Sequence, residues 1–303
     1  MNQEQYQNID DISVCFYKDG EGTPLIFIHG LGGTLHHWTD SYKFFSSQGF
    51  QVIGLDLPGY GKSDKPKIEY TIAFYADFLK KLIESFKLKE KPILIGNSMG
   101  GHIASYFAIH YPGDLQGLLI LDGSGLNELN LLEELTVQLT FRQQHIGRIL
   151  RYMIDIFAVN VFYRSTSQGA LKFIQEQKEM ATREDHPAYC HALEKSTKAM
   201  MLTPLKDSLS HIQVPTQIVW GSHDRLIPSF YAQKFKDLIP HSDLTIIKQC
   251  GHVPQLEKPD EFNEILFTFL KNRLPHLLEP KKNLFQKFFS FFKKTPKTSE
   301  INV

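Results

Sequence analysis

The sequence predicts an α/β protein, with a mostly parallel central sheet flanked by helices and interrupted by an inserted helical lid. Three observations predict it. Short apolar runs alternate with longer amphipathic stretches on either side of the chain's middle, which implies crossover connections between parallel strands. Between Gly123 and Pro215 that alternation stops, and about ninety residues keep helical periodicity only. Finally, Gly96-Asn97-Ser98-Met99-Gly100-Gly101 directly follows the apolar run Pro92-Ile93-Leu94-Ile95 and directly precedes a helix-like stretch, which marks a sharp strand-to-helix turn.

In chain order, the apolar runs Ile12–Tyr17, Pro24–Ile28, Gln51–Leu55, Pro92–Ile95, Leu118–Leu121, Thr216–Trp220 and Leu244–Lys248 read as strands. Helices fill the gaps at about Leu35–Gln48, Ile72–Phe86, Gly100–His110, Ser229–Leu238 and Asp260–Arg273. Pro259 introduces the last of these, with Asp260 and Glu261 in its first turn. Residues 1–123 and 215–275 therefore form the core, 124–214 the lid, and 276–303 a separate tail. Within the lid, Ile146, Ile149, Leu150, Met153, Ile154 and Phe157 recur at i, i+3, i+4 and make one apolar stripe. It serves either to pack the lid on the sheet or to line an acyl pocket.

A chain of 303 residues, 42% hydrophobic and 22% charged, can bury a sizeable core. Its 33 basic and 33 acidic residues cancel, so the whole chain offers no general attraction for nucleic acid. Cys15, Cys190 and Cys250 are few, odd in number and widely spaced, which suits a reducing compartment rather than a disulfide framework. Met1 to Asp11 has neither the basic start nor the apolar stretch of a signal peptide. No apolar run reaches the ~18 residues of a membrane span. The expected location is cytoplasmic.

A serine alcohol attacks poorly unless a base takes its proton, and the negative charge it creates needs amides facing it. In the turn around Ser98, Gly96 and Gly100 occupy the two places where a side chain would collide with neighbouring backbone, and the Met99 amide opens the following helix. A second amide is expected from His29-Gly30-Leu31-Gly32-Gly33, which follows an early strand; that of Leu31 is the candidate, supported by His29 and Gly30. For the base, His252 lies on the loop after the last strand, where it can reach Ser98. His102 is one turn past the serine on its own helix, and His36 and His37 lie in a helix, so none of the three faces it. For the acid that orients the base, both Asp224 and Asp122 follow strands, and both remain open on spacing alone. One decoy falls away: Gly59-Tyr60-Gly61-Lys62-Ser63 resembles the end of a phosphate-binding loop, but the required first glycine is Asp56.

With these residues in hand, the sequence resembles the α/β-hydrolase superfamily, in its lid-bearing esterase, lipase and carbon–carbon hydrolase branch. The resemblance runs from about Ile12 to Arg273. It rests on His29-Gly30-Leu31-Gly32-Gly33, Asp56-Leu57-Pro58-Gly59-Tyr60-Gly61-Lys62-Ser63, the Ser98 hexapeptide, Gly221-Ser222-His223-Asp224 and Gly251-His252, in family order. It implies a triad of Ser98, Asp224 and His252, with Asp224 preferred to Asp122, an oxyanion hole from the Leu31 and Met99 amides, and no metal or organic cofactor. Serine rather than aspartate at position 98 implies attack on an acyl carbon, unlike the dehalogenase and epoxide hydrolase relatives. The hexapeptide is also similar to that of hydrolases cleaving carbon–carbon bonds in ring-fission products. Those relatives usually carry an aromatic residue right after the catalytic histidine, where this chain has Val253. A small-molecule ester is the expected substrate, a vinylogous diketone the alternative. A catalytically silent binding protein of the same fold is the reading from another class.

After Pro275 the character changes. Lys281 to Lys297 has six lysines and no acids, and on a helical projection Leu284, Phe285, Phe288, Phe289, Phe291 and Phe292 share one face, flanked by lysines. That pattern fits an interfacial helix on the inner face of a membrane, or a helix docked on protein.

Overall fold

The computed structural model describes residues 4–127, 129–140, 142–143, 145 and 154–277. The tail residues from Leu284 to Phe292 lie outside the described residues, as do Ile146, Ile149, Leu150 and Met153 of the lid stripe and the side chain of Phe157. Eight strands, β1 (Gln5–Ile9), β2 (Ile12–Asp19), β3 (Pro24–Ile28), β4 (Gln51–Leu55), β5 (Ile93–Asn97), β6 (Gly117–Leu121), β7 (Thr216–Gly221) and β8 (Ser242–Ile247), form one sheet in the order β1-β2-β4-β3-β5-β6-β7-β8. The first two pairings, β1 with β2 and β2 with β4, are antiparallel, and the five that follow are parallel.

Strand β1 is absent from the sequence-based expectation because it is an edge strand with largely exposed side chains, which leaves no apolar run to read. Its signature was local instead. Asp10 and Asp11 both take positive φ, 49° and 62°, as a two-residue hairpin turn requires. The last strand begins two residues earlier than expected, at Ser242.

The parallel strands read as unbroken apolar runs because both of their faces are buried. Period-two alternation sends Ile26 and Ile28 to one face, against α2 (Ile72–Ser85) and α3 (Met99–His110), and Leu25 and Phe27 to the other, against α1 (Thr39–Ser47) and the late helix that runs over Pro259–Arg273. Each such side chain contributes roughly 1.5–3 kcal/mol of burial. The expected helix over Leu35–Gln48 is two pieces: a 3₁₀ turn, Leu35–Trp38, capped by Thr34, and then α1. That first turn is held from outside, since Asp56 Oδ1 accepts the Leu35 N–H at 2.8 Å and Tyr42 donates its hydroxyl to Leu35 O at 2.8 Å.

Between β6 and β7 the chain leaves the sheet and forms α4 (Leu131–Thr140), α5 (Ile154–Val161), α6 (Gln168–Met180) and α7 (His186–Leu202) among the described residues, then returns. After β7 come α8 (Phe230–Leu238), β8, the short α9 (Pro254–Glu257) and α10 (Pro259–Arg273). Ile154 of the lid stripe is buried in a small cluster with Ala158, Val161, Phe162, Phe173 and Val253, so the insertion has an apolar core of its own that touches the loop after β8.

Strand order reverses between β3 and β5, the chain passing left to β4 from one and right to β6 from the other. Parallel sheets open a crevice at such a switch point, outside the carboxyl ends of the strands. Here Ile28 pairs with Gly96, so the loop after β3 and the turn after β5 emerge side by side.

The apparent phosphate-loop decoy is a buried bracket for this region. Asp56 is 2% exposed, and its other carboxylate oxygen accepts the Lys62 N–H at 2.8 Å. Burial raises its pKa, against the lowering pull of those two backbone donors. Removing the carboxylate leaves the buried Leu35 amide and the part-buried Lys62 amide unpaired. Asp56→Ala is therefore expected to lower stability by about 2–4 kcal/mol, and Asp56→Asn by clearly less, in urea denaturation; equal losses for the two would refute the bracket.

Candidate active site

Ser98 stands between β5 and α3 with φ 56° and ψ −115°, a strained conformation for a residue with a side chain. Three things enforce it. The Ser98 amide donates to Leu121 O of the next strand at 2.9 Å, and Ser98 O accepts the His102 amide at 3.0 Å as α3 begins. The backbone around it is also too close for side chains: a Cβ on Gly96 would lie 2.2 Å from Gly100 O, and one on Gly100 would lie 2.3 Å from Ile28 O. Glycine at both places lets β3, β5 and α3 meet at van der Waals distance.

The loop after β3 is fixed by His29, fully buried. Its Nε2 accepts the Leu57 amide at 3.0 Å, so the proton sits on Nδ1, which donates to Gly30 O at 2.7 Å. Burial pushes the imidazole down to about 3, which keeps it neutral and this tautomer in place. Gly30 lies against the Ser98 turn: a Cβ there would stand 3.1 Å from both Asn97 O and Ser98 Cβ. Gly33 donates its amide to Gly30 O at 3.0 Å and closes a turn in which the Leu31 N–H takes no part.

His252 and Asp224 are joined. Nδ1 of the imidazole lies 2.6 Å from Asp224 Oδ2, with both residues buried, while Asp224 Oδ1 accepts the amides of Leu226 and Ile227 at 2.8 and 2.9 Å. Asp224 thus has a donor at each carboxyl oxygen, and His252 is left with Nε2 free of that pairing, an arrangement that suits an oriented base. The backbone of His252 is tethered as well. Its N–H donates to Val161 O at 2.7 Å, and Asn97 Nδ2 donates to its carbonyl at 3.1 Å. Ser98 and His252 line one cavity, together with Gly30 and Leu31, although no hydrogen bond joins Ser98 Oγ to the imidazole. Such contacts commonly tighten only with substrate in place.

Asp122 does not bond His252. It is fully buried at the end of β6 with φ 46°; one oxygen accepts the Gly221 amide at 2.9 Å and the other has no donor. Oxygens of Asp122 and Asp224 and a nitrogen of His252 lie within 4.8 Å of one another. Burial, then the neighbouring Asp224 charge, pushes Asp122 well above the usual carboxylate range. The charge of one buried carboxylate opposes ionisation of its neighbour, and Asp122 has the fewer donors to offset it. This is the only His/Asp/Glu/Cys cluster of metal-ligand dimensions among the described residues, and its His252 Nδ1 is already spent on Asp224.

Two other histidines near the site, His102 and His37, have different partners. His102 is buried, 3.3 Å from Ser124 Oγ, and held down to about 4 by burial. His37 does reach the cavity wall, unlike the sequence-based expectation, but its Nε2 is 3.0 Å from Glu176. The cavity measures about 520 Å³. The insertion supplies Val161, Phe173, Thr197, Met200 and Met201 to its wall, and Leu226 and Phe230 stand at its exposed side. Sequence reasoning missed Asn97, Gln255, which donates to Asn97 Oδ1 at 3.1 Å, and the partners offered by α6, since each acts across elements distant in sequence.

Residues 23–259 match the model of the alpha/beta hydrolase fold family. The chain is 28% identical over 275 residues to the 2-hydroxy-6-oxo-6-phenylhexa-2,4-dienoate hydrolase of Comamonas testosteroni, covering 88% of this chain and 94% of that protein. It is 30% identical over 275 residues to the 2-hydroxy-6-oxononadienedioate/2-hydroxy-6-oxononatrienedioate hydrolase of Escherichia coli O139:H28, covering 86% and 91%. Among solved structures, an esterase from Exiguobacterium antarcticum superposes with a TM-score of 0.78 at 22% identity, over 90% of this chain and all of that one.

The two aspartates make different predictions. Asp224→Asn is expected to slow the reaction of Ser98 with a fluorophosphonate probe about 10³–10⁴-fold, because the amide turns the imidazole to the wrong tautomer. Asp122→Asn should stay within about threefold, since an amide still accepts from Gly221 and can donate toward Asp224. The opposite ranking would assign the orienting role to Asp122.

Proposed function

Because the chain belongs to the α/β-hydrolase family, we propose that it is a serine hydrolase of uncharged, apolar carboxylic esters, acting through an acyl-enzyme on Ser98. His252 Nε2 takes the Ser98 proton as Oγ attacks the ester carbonyl. The carbonyl oxygen becomes an oxyanion, held by the Leu31 and Met99 amides. Collapse of this intermediate breaks the bond to the alcohol, which leaves with the proton from His252. A water then gives its proton to the same base, attacks the acyl-enzyme and releases the acid. Asp224 holds the imidazole in the Nδ1–H tautomer throughout.

The observation that carries the ester reading is the cavity lining: the described residues that line it include no Lys, Arg, Asp or Glu. An ester is neutral and suits such a wall, whereas a carboxylate buried there without a cation would cost several kcal/mol. The helical insertion then acts as a lid, with Val161, Phe173, Met200 and Met201 as the acyl wall. A second reading is favoured by one specific finding, the 28% and 30% identity, across most of both chains, to hydrolases named for dienoates and dienedioates. Carbon–carbon cleavage of a vinylogous diketone would use the same serine.

The lysine-phenylalanine segment is proposed to bring the enzyme to anionic lipid, where apolar esters partition, each lysine contributing about 1 kcal/mol near the surface. The outward leucines of α4, Leu131, Leu132, Leu135 and Leu139, all exposed, support such an apolar encounter.

A panel of short- and long-chain p-nitrophenyl esters, monoacylglycerols and a ring-fission diketone decides between the readings. Turnover of the esters, lost in Ser98→Ala, is expected. Turnover confined to the diketone would establish the second reading, and tight binding without turnover a silent binding protein. Deleting residues 279–303 should weaken binding to anionic liposomes and turnover of long-chain esters presented in them; unchanged values for both would end the lipid proposal.

A further inference from the structure

The loop expected to carry the Leu31 amide is held from the inserted helices rather than from the core alone. After Gly30 the chain makes the turn closed by Gly33 N–H to Gly30 O, and the Gly32 carbonyl then points out of the core toward α6. Gln177, on α6, meets it. Its Nε2 donates to Gly32 O at 2.7 Å and its Oε1 accepts the Tyr189 hydroxyl of α7 at 3.1 Å, with that hydroxyl also 3.4 Å from Gly32 O, so the carboxamide is oriented with its nitrogen toward the loop carbonyl. Both residues are buried, Gln177 at 2% and Tyr189 at 1% exposure. A neutral amide buried on a packed helix is costly unless paired, and here the pairing is to the loop.

The neighbouring residue repeats the contact. Glu176 accepts the Thr34 hydroxyl at 2.5 Å and lies 3.0 Å from His37 Nε2. Burial works to raise the Glu176 carboxyl, but the His37 charge and the hydrogen bonds from His37 and Thr34 outweigh it and hold the group at about 2. Residues 176 and 177 thus grip residues 32, 34 and 37. One helical turn earlier on α6, Phe173 lines the cavity that contains Ser98.

We infer that Gln177, oriented by Tyr189, is a positioning residue for the oxyanion hole, so that the insertion fixes the geometry of the Leu31 amide as well as covering the cavity. The inference rests on the reading of Ser98 as an acyl-accepting nucleophile. Amides stabilise an oxyanion only if they are preorganised, and one lost hole donor costs about 10²–10³ in kcat. Loosening the loop that carries one should cost less and leave ground-state binding, set by the apolar wall, almost untouched.

The test uses Gln177→Met, which keeps the shape and removes the donor, and the milder Tyr189→Phe, with kinetics on the best ester substrate. For Gln177→Met, kcat is expected to fall about 10–100-fold with KM within about threefold. Affinity for a trifluoromethyl ketone, which forms an oxyanion adduct with the serine, should fall in the same ratio as kcat/KM. Tyr189→Phe should show the same pattern at about two- to fivefold, and it remains readable should the first variant fold poorly. Unchanged kcat and unchanged ketone affinity in folded protein would overturn the inference, as would a loss confined to KM. Turnover that survives Ser98→Ala would instead bring down the serine reading on which it rests.

Discussion

The whole site depends on one backbone constraint, the strained turn at Ser98. A residue with a side chain holds φ 56° there only because two strands and a helix converge on it and the glycines at positions 96 and 100 permit that approach. The strain has a structural consequence of its own. It ends β5 and starts α3 within one residue, which places the serine at the sheet's switch point, leaves its side chain in the cavity and frees the Met99 amide from any strand ladder. Every other candidate group comes to this point from the carboxyl end of a neighbouring strand.

Around the turn, burial sets the electrostatics. It pushes the imidazoles of His29 and His102 down and the Asp122 carboxyl up, whereas at Glu176 the surrounding donors outweigh it. The contrast between Asp122 and Asp224 follows from donor number: one backbone amide for the first, two amides and an imidazole for the second. Two carboxylates that look alike in sequence are thereby given different hydrogen-bonding surroundings by the fold.

The insertion has more contact with the candidate site than the cavity wall alone accounts for. Val161 O takes the His252 amide, α6 grips the loop after β3, and Glu257 of α9 accepts the amides of Gly251, Tyr163 and Arg164, tying the histidine loop to the segment after α5. The His252 loop, the glycine-rich loop and the cavity wall therefore form a single packed unit. A change in the insertion is felt at the core through hydrogen bonds, not only through the shape of the cavity.

The sequence by itself determined the fold class, seven of the eight strands and the strand-end positions of Ser98, Asp122, Asp224 and His252. It could do so because each depends on local signals: apolar runs buried on both faces, glycines at a tight turn, and loops directly after strands. It missed β1, whose exposed side chains carry no pattern, and it treated Leu35–Gln48 as one helix because the Asp56 carboxylate that holds the first turn lies twenty-one residues away. Spacing alone left open which aspartate meets His252, and the family resemblance preferred Asp224; the tertiary structure gives the physical difference, a 2.6 Å contact to His252 for one and a backbone amide for the other. It alone brought Gln177 to Gly32 across 145 residues of sequence. Hydrogen bonds between distant segments leave no periodicity in the chain, and they exist only once the sheet and the insertion have packed together.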